Sequence, residues 1–125
     1  MANNKFYNSL NKVPQATPPI WFMRQAGRYH SHYQQLIQKY TFEQLCKTSE
    51  LAAEVACGPV EEFDFDIAIL FSDILFVLEC LGLELEFKPG PIFNEYLTKE
   101  NYKKFSNVDR ALEHMNFQHD AITIT

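Results

Sequence analysis

The sequence lacks the features that mark several large classes of protein. No apolar run is long enough to cross a bilayer, and the polar residues 1–15 contain no apolar core of an export signal. The three cysteines are odd in number and form no Cys-x-x-Cys pair, which favours free thiols in a reducing cytoplasm. No glycine-rich phosphate loop and no serine or cysteine nucleophile signature is present. These absences predict a cytoplasmic protein that does not contact a membrane.

Positive charge is in short supply, with 11 Lys and Arg against 16 Asp and Glu and a formal net charge of −5. A chain of this sign is not drawn to nucleic acid, and an acidic ligand would need a local cationic pocket. The 125 residues, of which 46% are hydrophobic, suffice for one small domain with a core. We therefore expect no nucleic-acid partner and no second domain.

Two short apolar runs predict buried strands. Residues 20–23 (Ile-Trp-Phe-Met) follow two prolines, and residues 65–71 are apolar on both faces apart from Asp66. We interpret Asp64 and Asp66 as solvated residues at the entry to the second strand. Residues 83–87 alternate Leu and Glu before Phe, which predicts a half-exposed strand.

Helical signals occupy much of the remaining chain. Apolar spacing predicts a helix within residues 31–39, and Thr41 can cap a short helix that follows it. Ser49 can cap a helix over residues 50–62, which the Gly-Pro pair at 58–59 should kink or break. Further helices are predicted over residues 74–81, 98–105 and 109–125.

Buried strands followed by helical sequence indicate an α/β architecture. In (β/α) barrels the chemistry lies at the carboxyl ends of strands, and here Arg24 follows the first strand and Asp73 the second. A complete barrel takes about 250 residues, whereas this chain has 125 and reaches Thr125 with no closing element. We therefore expect an incomplete α/β domain.

The most informative stretch is residues 18–29, Pro-Pro-Ile-Trp-Phe-Met-Arg-Gln-Ala-Gly-Arg-Tyr. An apolar run ends at Arg24, and Arg28 follows directly after Gly27. Arginine presents a fixed fork of donors that matches carboxylate oxygens, and glycine lets a ligand approach the main chain. The two arginines could clamp a polyacidic molecule, and ion pairs with the 16 acidic residues are an equally favoured alternative.

Asp73 lies between two apolar runs, where a carboxylate is costly unless it is paired or hydrogen-bonded. It could accept hydrogen bonds from N–H donors of a ligand and stabilise developing positive charge. It could also cap a helix by accepting from the amides of Leu75 or Phe76, and the sequence alone favours this cap.

The histidines give little support for a metal centre. His30 and His32 are not accompanied in the sequence by nearby cysteine or acidic ligands, so we interpret them as surface residues. His114 and His119 lie on a predicted surface helix and are expected to be solvated. No metal site is predicted.

Two stretches of the chain resemble the signatures of the uroporphyrinogen decarboxylase family. Residues 21–29 (Trp-Phe-Met-Arg-Gln-Ala-Gly-Arg-Tyr) are similar to its N-terminal signature. Residues 65–75 (Phe-Asp-Ile-Ala-Ile-Leu-Phe-Ser-Asp-Ile-Leu), followed by Leu-Gly-Leu at 81–83, are similar to its second signature. The order and spacing of the two stretches agree with the family as well.

The resemblance implies that residues 1–125 form the N-terminal portion of a TIM-type (β/α)8 barrel, which is usually a cytosolic homodimer. The implied reaction is the decarboxylation of the four acetate side chains of uroporphyrinogen III to give coproporphyrinogen III in haem biosynthesis, with no metal or organic cofactor. The implied catalytic residues are Asp73, Arg24 and Arg28. The implied substrate-binding residues are Arg24, Gln25, Ala26, Gly27, Arg28 and Asp73.

The chain also departs from the family. Gly58 stands where the family usually has glutamine, and we expect this difference to affect only the end of a helix. The family's later pocket residues, a tyrosine, a serine and a histidine, would lie beyond Thr125, so residues 1–125 alone are expected to be inactive. Two alternatives stay open: a non-catalytic truncated remnant, and a corrinoid methyltransferase of the same fold, a group that lacks the Arg-Gln-Ala-Gly-Arg pattern.

Overall fold

Helices dominate the computed structural model, which describes residues 4–23, 29–105 and 107–125. The helices in these ranges are α1 (Asn4–Leu10), α2 (Ser31–Leu36), α3 (Phe42–Lys47), α4 (Ser49–Phe63), α5 (Phe76–Cys80), α6 (Val108–His114) and α7 (Asn116–Ile124). An antiparallel hairpin of β1 (Leu85–Phe87) and β2 (Pro91–Phe93) follows α5, and a 3₁₀ helix spans Tyr102–Phe105.

Side-chain caps at the start of α3 follow the sequence prediction. The Thr41 hydroxyl accepts a hydrogen bond from the Gln44 N–H at 3.2 Å, and the Gln44 side chain accepts from the Thr41 N–H at 2.9 Å. This reciprocal capping box satisfies two amides that a helix start leaves unpaired. Ser49 begins α4 but does not cap it, because its hydroxyl donates to the carbonyl of Phe117 at 3.1 Å. That bond ties α4 to the first turn of α7.

The helix α4 continues through the Gly-Pro pair at 58–59, so the predicted break is wrong. Its apolar face (Ala52, Ala53, Val55, Ala56 and Pro59) is buried, and the helix packs against α3 and α7. Interior proline costs about 3 kcal/mol, and this packing outweighs that cost. The helix ends at Phe63, and Asp64 follows in the left-handed conformation with φ 54°.

The two apolar runs predicted as buried strands form no ladder in the described part of the chain. Residues 20–23 are largely exposed, and residues 65–71 are half-buried apart from the exposed Ile69. A parallel strand needs neighbouring strands and a cover on both faces, and packing of this kind is not found around either run. The described residues are therefore α-rich with a small two-stranded sheet, rather than the parallel α/β sheet that we expected.

The alternating segment does form a half-exposed strand, as predicted. Leu83 and Leu85 are buried whereas Glu84 and Glu86 are exposed. In the hairpin, Leu85 lies opposite Phe93, and the strand packs against α5. The predicted short helix before it is also present, although it begins only at Phe76.

Phe71 joins the two apolar clusters of the core. The first cluster is formed by Tyr33, Leu36, Leu45 and Val55, with Leu51 and Phe71 packed against it. The second is formed by Cys46, Phe76 and Leu85, with Phe42, Phe71, Leu75, Phe87, Phe93 and Phe117 packed against it. Phe71, which immediately precedes Ser72 and Asp73, is thereby packed against both clusters.

Burial of Cys46 predicts that the protein loses stability at alkaline pH. Burial, together with the smaller effect of the negative charge of Asp73, raises the pKa of the Cys46 thiol to about 12. The unfolded thiol ionises near pH ~8.5, so between about pH 9 and 12 the unfolded state binds fewer protons than the folded state. The free energy of unfolding should therefore fall by about 1.4 kcal/mol per pH unit in this range.

Urea denaturation at a series of pH values from 7 to 11 measures this slope. Burial also raises the pKa of Tyr33, which adds to the slope in the same direction, so the Cys46→Ala variant should have a shallower slope rather than none. Equal slopes in the two proteins would contradict the assignment to Cys46.

Candidate active site

The predicted carboxylate clamp lies outside the described residues. Its members are Arg24, Gln25, Ala26, Gly27 and Arg28. The structure describes the chain on either side of this clamp segment, residues 24–28, and it describes Asp73 with its surroundings.

The residues before the clamp segment are held by Phe65 and Asp66. The Ile20 N–H donates to the Asp66 carboxylate at 2.8 Å, and the Asp66 N–H donates to the Ile20 carbonyl at 3.0 Å. The rings of Phe22 and Phe65 meet edge to face at 5.5 Å. The Asp66 side chain is only 8% exposed and also pairs with Lys5 at 3.1 Å. The prediction that Asp66 is a solvated residue is therefore wrong, since its carboxylate fastens two chain segments.

The residues after the clamp segment are held by Glu62 and Phe63. The His30 Nε2 lies 2.8 Å from a carboxylate oxygen of Glu62. The rings of Tyr29 and Phe63 are 6.2 Å apart, and those of His30 and Phe63 are 5.8 Å apart. His30 is 1% exposed, so the interpretation of this histidine as a surface residue is wrong.

Both flanks of the clamp segment therefore converge on one turn, residues 62–66. Asp64 adopts the left-handed conformation within this turn, directly after the last residue of α4, and the ring centres of Phe63 and Phe65 are 5.5 Å apart. The chain leaves the turn along residues 67–72 and reaches Asp73. The turn that anchors the clamp segment and the predicted catalytic carboxylate thus belong to one continuous stretch of chain.

Asp73 is half-buried and accepts from the Leu75 N–H, as the capping alternative expected, but α5 begins at Phe76 with Leu75 as its N-cap, so this bond closes a local turn and does not cap the helix. Its Oδ1 accepts from the Leu75 N–H at 2.8 Å, which orients the carboxylate just before α5. Its Oδ2 has no hydrogen-bond partner in the described parts of the chain. The preceding residue, Ser72, accepts at its hydroxyl from the Gln118 side chain at 2.7 Å. One oxygen of Asp73 thus serves the local backbone, and the other is available to a donor.

His30 and His32 each have an acidic partner that their sequence neighbours do not indicate. The His32 Nε2 lies 2.8 Å from a carboxylate oxygen of Glu54, which parallels the pair of His30 with Glu62. Both glutamates lie on α4, on turns that face α2. Asp66 carried a signal that could have been used, since it is the one charged residue in an apolar run.

The described residues hold neither a cluster of metal-ligating side chains nor a helix that could cross a membrane. Among residues 4–23, 29–105 and 107–125, no group of three His, Cys, Asp or Glu side chains is arranged to hold a metal ion. His114 and His119 are exposed, as predicted. In the same ranges, each helix is too short or too polar to cross a membrane.

Comparison with known proteins identifies the family. The sequence model described as Uroporphyrinogen decarboxylase (URO-D) matches residues 1–125. The chain belongs to this family. The uroporphyrinogen decarboxylase of Geobacter sulfurreducens is 50% identical over 91 residues, and that of Geobacter metallireducens is 52% identical over 91 residues; each match covers 73% of this chain. The uroporphyrinogen decarboxylase of Pelobacter propionicus is 46% identical over 93 residues, which cover 74% of this chain.

The match spans 27% of the length of each of these uroporphyrinogen decarboxylases. Membership of the family confirms the resemblance that residues 21–29 and 65–75 carry. In the structure, the turn at residues 62–66 holds Ile20 and His30, which flank the clamp segment, and a hydrogen bond from the Leu75 N–H orients the carboxylate of Asp73.

Proposed function

We propose that this chain supplies the N-terminal part of a TIM-type (β/α)8 barrel that converts uroporphyrinogen III to coproporphyrinogen III. The observation that carries the proposal is the turn at residues 62–66, which holds both flanks of the clamp segment and leads to Asp73. Relatives named uroporphyrinogen decarboxylase that are 46–52% identical support this reaction over a corrinoid methyltransferase. The complete protein is proposed to be a cytosolic homodimer.

Arg24 and Arg28 are proposed to bind carboxylates of the substrate. Uroporphyrinogen carries eight carboxylates and four pyrrole N–H groups, so a binding site needs both cationic donors and an acceptor. Guanidinium groups bind carboxylates through two parallel hydrogen bonds, which fixes orientation as well as affinity. Gln25, Ala26 and Gly27 would line the same cleft, with Gly27 allowing the substrate to approach the main chain.

Asp73 is proposed to stabilise the positive charge that develops during decarboxylation. When an acetate side chain loses CO2, the electrons of the broken C–C bond need an acceptor, and a protonated pyrrole ring provides one. Each acetate thereby loses one CO2 and gains one proton to become a methyl group. The Oδ1 of Asp73 is held by the Leu75 N–H, which supports a role for Oδ2 as the acceptor for pyrrole N–H groups. The ring itself is the electron acceptor, so no metal or organic cofactor is required.

Residues 1–125 alone are proposed to be inactive. Phe22, Met23 and Ile74 are large apolar residues that are 60%, 70% and 89% exposed, and they border the clamp segment and Asp73. Exposed apolar surface of this kind is typical of a face that further polypeptide covers. The alternative that the chain is non-catalytic is therefore favoured only for residues 1–125 on their own.

A graft tests the proposed function. In the uroporphyrinogen decarboxylase of Geobacter metallireducens, the corresponding N-terminal residues are replaced by residues 1–125 of this chain. We expect the graft to release CO2 from uroporphyrinogen III and to form coproporphyrinogen III, whereas residues 1–125 alone release none above background. Coproporphyrinogen III is measured by chromatography of the oxidised porphyrins, and CO2 is measured separately as the gas released on acidification.

Two charge-matched variants of the graft serve as controls. Arg24→Gln with Arg28→Gln should abolish turnover while the circular dichroism spectrum stays unchanged. Lys39→Gln with Lys99→Gln removes the same charge at exposed positions and should leave turnover intact. A folded graft without turnover, beside an active parent enzyme, would contradict the proposed function.

A further inference from the structure

His30 is the buried polar residue that stands out in the described part of the chain. It is 1% exposed, its Nε2 pairs with Glu62, and its ring contacts those of Phe63 and His32. Its Nδ1 is buried and has no hydrogen-bond partner among the described residues. Leaving a buried polar atom unpaired costs about 1–3 kcal/mol, so the surrounding contacts must hold the imidazole in place.

Gly58 provides the space in which the imidazole lies. A Cβ atom at residue 58 would lie 2.8 Å from Cε1 of His30, closer than carbon atoms approach in proteins, and 3.5 Å from Cδ2 of His32. Any other residue at this position would push the His30 ring out. From the sequence we expected Gly58 to affect only the end of a helix, and this expectation is wrong. Gly58 lies within α4 and leaves room for a side chain from outside the helix.

The position of His30 in the chain links this packing to the clamp segment. His30 is two residues beyond Arg28 and precedes α2, where its carbonyl accepts from the Gln34 N–H at 3.1 Å. The imidazole thus fixes the point at which the chain leaves the clamp segment and enters a helix. His32 and Glu54 form a second pair between α2 and α4, but both side chains are more than 40% exposed.

We propose that His30 is a positioning residue, which fixes the residues that follow the clamp segment through its contact with the Glu62 carboxylate and its packing against Gly58. This inference rests on the proposed function, because the clamp segment is the one proposed to bind substrate carboxylates. His30 itself does not contact the substrate in this role.

Limited proteolysis with trypsin tests the positioning role in the 125-residue chain. Trypsin cleaves after Arg28, two residues before His30, and after Lys39, in the following segment. In His30→Leu we expect cleavage after Arg28 to accelerate about tenfold relative to cleavage after Lys39, because the contact of the buried imidazole with Glu62 is lost locally. His32→Leu is the matched control, and its ratio should stay within about twofold, since exposed ion pairs contribute little. Equal acceleration at both sites in His30→Leu would indicate global loosening and would overturn the proposal.

Gly58→Ala independently tests the packing of the His30 imidazole against residue 58. The added Cβ should raise the same cleavage ratio in the otherwise unchanged chain, whereas it should have little further effect in the His30→Ala background, where the clash is absent. Additive effects of the two substitutions would contradict a direct fit between Gly58 and His30.

Kinetics in the graft separate this inference from the proposed function. His30→Leu should raise KM for uroporphyrinogen III about tenfold and change kcat less than about threefold, whereas mere loss of folded protein would lower kcat at constant KM. Unchanged KM beside a raised cleavage ratio would overturn the positioning role while leaving the proposed function intact. An inactive but folded parent graft would overturn the proposed function, and the positioning role with it.

Discussion

Phe76→Ala should lower the free energy of unfolding by about 3–5 kcal/mol, the usual cost of removing a buried aromatic ring. Phe76 is fully buried, and its ring lies 6.0 Å from that of Phe87 and 5.9 Å from that of Phe117. The ammonium group of Lys47 lies 5.0 Å from the centre of the same ring. One side chain thus connects α5 with the hairpin, α7 and α3. Since domains are stable by only about 5–15 kcal/mol, this loss is a large fraction of the stability expected for a chain of this size.

Urea denaturation followed by circular dichroism measures this loss. Ile74→Ala is the matched control, because Ile74 lies two residues earlier, is similarly apolar and is 89% exposed. Its free energy of unfolding should change by less than about 0.5 kcal/mol. Equal losses in the two variants would show that the core is not built around Phe76.

Asp73→Asn in the active graft should lower kcat by about 10²–10³, the usual effect of removing a preorganised group that stabilises charge in the transition state. The asparagine side chain keeps an oxygen that can accept from the Leu75 N–H, so the turn before α5 should persist. The variant therefore removes the negative charge and leaves the local fold in place. Turnover is measured as porphyrin product formed, and folding is measured as the thermal midpoint.

Asp73→Ala separates the two roles of this residue. It removes the charge and the acceptor together, so it should lose turnover and also about 0.5–1.5 kcal/mol of stability, the usual contribution of one hydrogen bond. Asp109→Asn removes a charge from an exposed position in the first turn of α6 and should alter neither quantity. Near-normal turnover in Asp73→Asn would end the catalytic assignment and leave the hydrogen bond to the Leu75 N–H as the role of Asp73.

Local signals explain which parts of the fold could be predicted. The side-chain cap by Thr41 and the alternating residues 83–87 depend on neighbours within a few positions. The cap was confirmed, and the strand was confirmed over Leu85–Phe87. Residues 20–23 and 65–71 were predicted as strands because they are apolar. A strand also needs a neighbouring strand to pair with, and whether one is present depends on other parts of the chain. The break predicted at Pro59 was wrong for the same reason. The packing of α4 against other helices outweighs the local cost of proline within the helix.

The same distinction applies to the candidate site. The hydrogen bond from the Leu75 N–H to Asp73 spans two residues and could be predicted from the sequence. The carboxylate of Asp66 binds the main chain of Ile20, 46 residues earlier, and the partner of His30 lies on a different helix. Contacts of this range leave no periodic pattern, so neither anchor could be derived from spacing.

The turn at residues 62–66 has a consequence for ligand affinity. The main chain of Ile20 and the imidazole of His30 are held at positions only four residues apart in the chain, Asp66 and Glu62. The conformational entropy of ordering these two flanking residues is therefore lost when the protein folds, and not when a ligand associates. Under the proposed function, this lowers the entropic cost of binding a large, highly charged substrate.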